Sequence, residues 1–277
     1  MDIEWPLVLF TVIAGSGAGI LAFAGLGEFL GASKKARFVG AILSLILLVV
    51  GGCFSLLHLE NPANFMAAAA NMFSFSPISL ELIFLGLGVI VAIIYLVLVN
   101  RESGASKALG VIGIVVGVVF AYVSGHGYEV IAVRPAWATP TLTLSYALSA
   151  LALGGFLFLA LQMAFKDEAA STKKTALAVL VVAILETVLY LAYGALSPIG
   201  DNAALFWIGA VLVGGVLAVV AGLLVYLKKS ATTMVYVGVV AVLVGAVVFR
   251  VVMWLAGSAY LPSFFDLAAN SRGLFPF

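Results

Sequence analysis

The run Gly40-Ala41-Ile42-Leu43-Ser44-Leu45-Ile46-Leu47-Leu48-Val49-Val50-Gly51 decides the fold. It sits inside a stretch, residues 38–59, that holds no Asp, Glu or Lys and begins just past Arg37. Crossing the hydrocarbon of a bilayer takes roughly 20 apolar residues in a helix. A barrel strand would alternate apolar and polar side chains over about ten residues, whereas here apolar side chains fall on every face. Seven more stretches read the same way: 6–30, 78–99, 108–124, 141–165, 175–196, 203–227 and 233–256. The expectation is an all-α integral membrane protein with eight transmembrane helices. They form a single polytopic domain over residues 1–277, divisible into two packed four-helix bundles at about 1–125 and 140–277. Gly-rich segments such as Gly15-Ser16-Gly17-Ala18-Gly19 lie inside these spans, where they serve close helix packing and not phosphate binding.

The whole chain agrees with its most telling stretch. Of 277 residues, 65% are hydrophobic and 9% charged, too few charges to cover a water-facing surface. A net charge of +1 gives no footprint for nucleic acid. The lone cysteine, Cys53, excludes an internal disulfide framework or a cysteine-held iron–sulfur cluster. Two histidines, His58 and His126, both at one edge, cannot supply the four axial ligands of a two-haem bundle. The start, Met1-Asp2-Ile3-Glu4-Trp5-Pro6, lacks a basic leader region, so the first span is expected to be retained.

Basic residues set the expected orientation. Lys34, Lys35 and Arg37 follow the first span, Arg101 and Lys107 the third, Lys166, Lys173 and Lys174 the fifth, and Lys228 and Lys229 the seventh. Ten of the thirteen Lys and Arg thus share one face, which the positive-inside rule makes the inner one. Both termini then lie outside. The outer connections, 60–77 and 125–140, and the tail 257–277 carry Phe65, Phe73, Phe75, Trp137, Tyr260, Phe264, Phe265, Phe275 and Phe277. These read either as an interfacial aromatic belt or as a docking surface. Residues 64–73 read as a short helix along the membrane surface.

Ionisable groups within spans are costly and mark functional sites by default. Glu28 lies near the inner end of span 1, within reach of the interface or of Lys34. Glu186 in span 6 and Arg250 in span 8 differ in depth by less than roughly 10 Å. Either they form an ion pair, or Arg250 reaches a polar cavity at the outer face. His58, Glu81 and Tyr128 come from three further helices at that outer depth. Such a set suits hydrogen bonding to a ring that bears two oxygens and gives up protons, a task to which histidine is matched. The alternatives are a secondary transporter, for which no internal repeat or midplane helix break is visible, and a passive anchor.

Short motifs narrow the choice. Glu4-Trp5-Pro6-Leu7-Val8-Leu9-Phe10-Thr11 resembles the opening of the membrane-anchor subunit of the dimethyl sulfoxide reductase family. Leu57-His58-Leu59 with Pro62 is similar to that family's His-Leu-x-x-Pro, and Glu81 falls where the family has a carboxylate. Tyr128 with Trp137, Thr139 and Pro140 resembles its loop before span 5, and Arg250 an arginine in its last span. The resemblance implies a haem-free anchor in the cytoplasmic membrane that binds menaquinol or a similar quinone at His58, Glu81, Tyr128 and Arg250. It implies quinol oxidation near the outer face, with electrons passing to an iron–sulfur subunit docked there and then to a molybdopterin catalytic subunit.

Overall fold

The structure, a computed structural model, describes residues 2–59, 66, 70–229 and 231–257. Among them are eight helices long and apolar enough to cross a membrane: α1 (Trp5–Leu30), α2 (Lys34–Leu57), α3 (Pro77–Asn100), α4 (Ala105–Glu129), α5 (Pro140–Ala164), α6 (Ala169–Leu196), α7 (Gly200–Tyr226) and α8 (Ala231–Ala256). Most of residues 60–69 and all of 258–277 lie outside the described residues. Residues 64, 65 and 67–69 of the expected surface helix and most of the aromatic tail therefore fall there too. Near the end of that connection Met72–Ser74 form a single 3-10 turn.

Local chemistry starts and stops the helices. Pro6, Pro77 and Pro140 occupy first turns, where a missing N–H costs nothing. Ser33, Ser76 and Thr139 cap α2, α3 and α5 by accepting backbone N–H bonds from Ala36, Ser79 and Thr141. Helix α1 ends on Gly31 at φ 80°, a left-handed cap that glycine takes without a Cβ clash. Residues 206–217 of α7 wind as a π-helix, a form usually confined to single turns.

The span expected at 108–124 runs on to Glu129, so His126 and Tyr128 sit on the last turn of α4 rather than in a loop. Hydropathy falls off there, but the helical hydrogen bonds continue.

Helices α1 and α5 form the centre. Helix α1 packs against α2, α4 and α5, and α3 packs on α2 and α4; α5 packs against α6 and α8, and α7 completes that side against α6 and α8. Glycine permits the close approaches. A Cβ on Gly51 of α2 would fall 2.5 Å from the Ala14 nitrogen of α1, and one on Gly17 would fall 2.9 Å from the Leu48 nitrogen. Gly19 faces Gly154 across α1–α5, Gly25 faces Gly110 across α1–α4, and Gly214 faces Gly245 across α7–α8. Lipid tails are as apolar as these side chains, so packing contact, not exclusion of water, holds such pairs. The outward faces are apolar instead: Leu87, Ile90, Ile94 and Val97 form an exposed stripe along α3. The chain is a multi-pass membrane protein.

Eight antiparallel spans return the end of α8 to the start of α1. At this end Trp137 Nε1 donates to the Met253 carbonyl at 2.8 Å, and Tyr193 Oη donates to the Ala136 carbonyl at 2.9 Å. Trp137 is 4% exposed, so it belongs to the interior and not to an aromatic belt. At the opposite, lysine-rich end, Glu28 pairs with Arg37 and accepts from Tyr95 Oη at 3.1 Å. Lys34, the partner expected for Glu28, instead meets Glu102 at 2.7 Å. Its hydrogen bond and charge hold the Glu102 carboxyl below the usual carboxylate range.

Candidate functional site

Three of the four expected site residues converge. Glu81 lies one turn into α3, set there by the Ser76–Pro77 start, and the Ser124 hydroxyl of α4 lies beside its carboxyl. One turn further along α4, Tyr128 packs into a cage of rings. It meets Trp137 edge-on with centroids 5.4 Å apart, Tyr146 of α5 at 5.6 Å and Trp254 of α8 at 5.9 Å. The charges of Glu81, Arg250 and Glu4 all act on the Tyr128 hydroxyl. Helices α1, α3, α4, α5 and α8 thus meet at one end of the bundle.

Arg250 forms the floor of this cluster. It is 1% exposed, and its guanidinium lies 4.2 Å from the centre of the Tyr146 ring. Nε donates to Thr11 Oγ1 at 2.8 Å, and Nη1 donates to Ser149 Oγ at 3.3 Å and to the Ala246 carbonyl at 3.0 Å. An unpaired guanidinium in hydrocarbon is costly; two hydroxyls, the carbonyls of Ala246 and Thr11 and a π-face solvate this one. Of the two readings open to Arg250, the direct ion pair with Glu186 does not form: the described salt bridges do not include it. Glu186 is fully buried beside Tyr190 and feels Arg250 only through space.

His58 stands apart from the other three. It is exposed at the end of α2, and its Nδ1 donates to the Ser55 carbonyl of its own helix. Depth still relates it to Glu81. Gly52 of α2 faces the Leu85 side chain of α3. His58 lies six residues beyond Gly52 and Glu81 four residues before Leu85, about 9 Å and about 6 Å along antiparallel axes at 1.5 Å per residue.

Sequence reasoning missed Thr11, Ser124, Tyr146, Ser149 and Trp254. Thr11 closes the Glu4–Thr11 motif but had no expected role in the site; the others are lone polar or aromatic side chains in apolar runs, with no local pattern to separate them from packing. Three of the hydroxyls also bond to carbonyls of their own helices, which is what any span hydroxyl does by default. Glu4 carried a signal through the Glu-Trp-Pro motif, but no expected role in the site.

The cluster offers a carboxylate, a phenol and aromatic rings near a buried cation, groups that can exchange a proton, hydrogen-bond and stack. A comparison with curated proteins returns no match. The profile of one family, described as DMSO reductase anchor subunit (DmsC), matches residues 1–255. That match takes in all eight helices almost to the end of α8, and the chain therefore belongs to the DmsC family of DMSO reductase anchor subunits.

Proposed function

We propose that this anchor binds a quinol, in the cell menaquinol, at the Glu81–Tyr128–Arg250 end of the bundle and oxidises it there. The observation that carries the reading is the convergence of these three residues, from three helices, on one aromatic cage. Quinol oxidation removes two protons and two electrons. Glu81 takes a proton from one hydroxyl, and His58, exposed at similar depth on the neighbouring helix, relays protons from the site to the outer face. The rings of Tyr128, Trp137 and Trp254 supply faces for stacking. Trp254 Nε1 is buried with no acceptor among the described residues, a donor suited to the carbonyl oxygen formed as the ring is oxidised. Arg250 adds positive charge beneath the site without being spent on a carboxylate.

In this reading both termini and the site lie on the outer face of the cytoplasmic membrane. An iron–sulfur subunit docks over the site and passes the two electrons to a molybdopterin subunit that reduces the terminal acceptor. The ten-to-two division of the Lys and Arg outside the spans supports the orientation.

Quinol-linked turnover of the assembled complex tests the proposal. A positioned general base contributes about 10²–10⁴-fold, so Glu81→Gln should lower turnover by at least about 10²-fold. His58→Ala should impair it as well. Turnover with a soluble artificial donor, and retention of the partner subunits, should stay unchanged. Normal quinol-linked turnover in both variants would remove the site.

A further inference from the structure

At the lysine-rich end, away from the aromatic cage, a cavity of about 370 Å³ opens between α1, α2 and the α3–α4 turn. Lys34, Arg37 and Lys107 line it, together with Ser103 and Ser106. Two carboxylates also line it, but each is matched: Glu28 by Arg37, and Glu102 by Lys34. Lys107 is exposed and is absent from the described salt bridges, so the lining carries one net positive charge. Ser106 is 6% exposed, and its hydroxyl makes no hydrogen bond within the described residues. Helix α4 opens at Gly104, with Ser103 accepting from the Ala105 N–H on its hydroxyl at 3.3 Å and from the Ser106 N–H on its carbonyl at 3.0 Å, and its positive end is directed at the same space.

We infer that this cavity binds the phosphate of an anionic lipid headgroup. The helix ends that frame it lie where a bilayer's headgroups lie, and basic pockets between spanning helices suit such headgroups. Lys107 supplies a free charge, Ser103 and Ser106 supply hydroxyl donors, and the positive end of α4 adds to the field. The exposed Lys34–Glu102 pair is worth little by itself, so Lys34 can turn to the phosphate when a headgroup enters. Arg37, held by Glu28 and by the Ala32 carbonyl at 3.1 Å, forms a fixed wall.

Native mass spectrometry of the detergent-purified full chain, titrated with phosphatidylglycerol or phosphatidylcholine of matched acyl chains, tests this. Phosphatidylglycerol should be retained in preference. Lys107→Gln should weaken its binding by about fivefold and Glu102→Gln should strengthen it by about as much, the effect of one charge at a membrane surface. Lys229→Gln, outside the cavity, should leave it unchanged. Equal retention of the two lipids, or a preference that neither cavity variant alters, would overturn the site. Displacement of the lipid by millimolar inorganic phosphate would overturn the lipid as its source.

Discussion

Arg250 keeps a charge inside the membrane by bonding to neutral groups, and this determines what its removal does. Thr11 Oγ1 and Ser149 Oγ already lie near the Leu7 and Tyr146 carbonyls of their own helices, at 3.0 Å each. Losing the arginine therefore leaves no new unsatisfied hydroxyl. Arg250→Met should assemble with near-normal yield but bind quinol-site inhibitors about tenfold more weakly, about 1.4 kcal/mol. Adding Glu186→Gln should not restore that affinity. A collapse in yield that Glu186→Gln rescues would instead make the arginine a structural counter-ion. The charged members of this cluster were legible in the sequence because a charge in a span needs a reason. Thr11, Ser149 and Tyr146 were not, because only packing distinguishes them from ordinary span residues. The Glu28 partner was also missed: Arg37 reaches it across the turn at Gly31, a tertiary fact that sequence separation alone does not rank above Lys34.

Among the helices, contact rests on backbone proximity, and so on glycine. Gly51 should tolerate no larger side chain, because its missing Cβ would fall 2.7 Å from the Ala14 Cβ as well as against the backbone. Gly51→Leu should cost about 1–3 kcal/mol, the range for overpacking. A lowered midpoint in thermal or detergent unfolding should show it. Gly86, whose Cβ would meet nothing within 4 Å, is the control, and Gly86→Ala should leave the midpoint nearly unchanged. A larger loss at Gly86 than at Gly51 would contradict the packing described. All eight spans were readable from hydropathy because hydrocarbon imposes one rule along each stretch. Their ends were less so, since α4 continues through His126 and Tyr128 on hydrogen bonds that hydropathy does not report. Trp137 was misplaced for a related reason: a tryptophan at the interface and one buried beneath Tyr128 look alike in sequence.

For the molecule as a whole, orientation and site stand together. In a Cys53→Ser background, cysteines at Ser103 and Lys229 should react with impermeant reagents only from the inside, and cysteines at Ser74 and Asp201 only from the outside. Reversal at either pair would turn the protein over and move the quinol reading to the wrong compartment. Belonging to the DmsC family makes the chain a DMSO reductase anchor subunit; the proposed part in electron flow depends on a quinol site at the Glu81–Tyr128–Arg250 end. Photolabelling of the assembled complex with an azidoquinone, followed by peptide mapping, addresses this most directly. The adducts should fall at the end of α2, the start of α3 and the end of α4, around His58, Glu81 and Tyr128, and should disappear when excess menaquinol analogue competes. Adducts confined to the lysine-rich end, or to the outward faces of α6 and α7, would contradict the account.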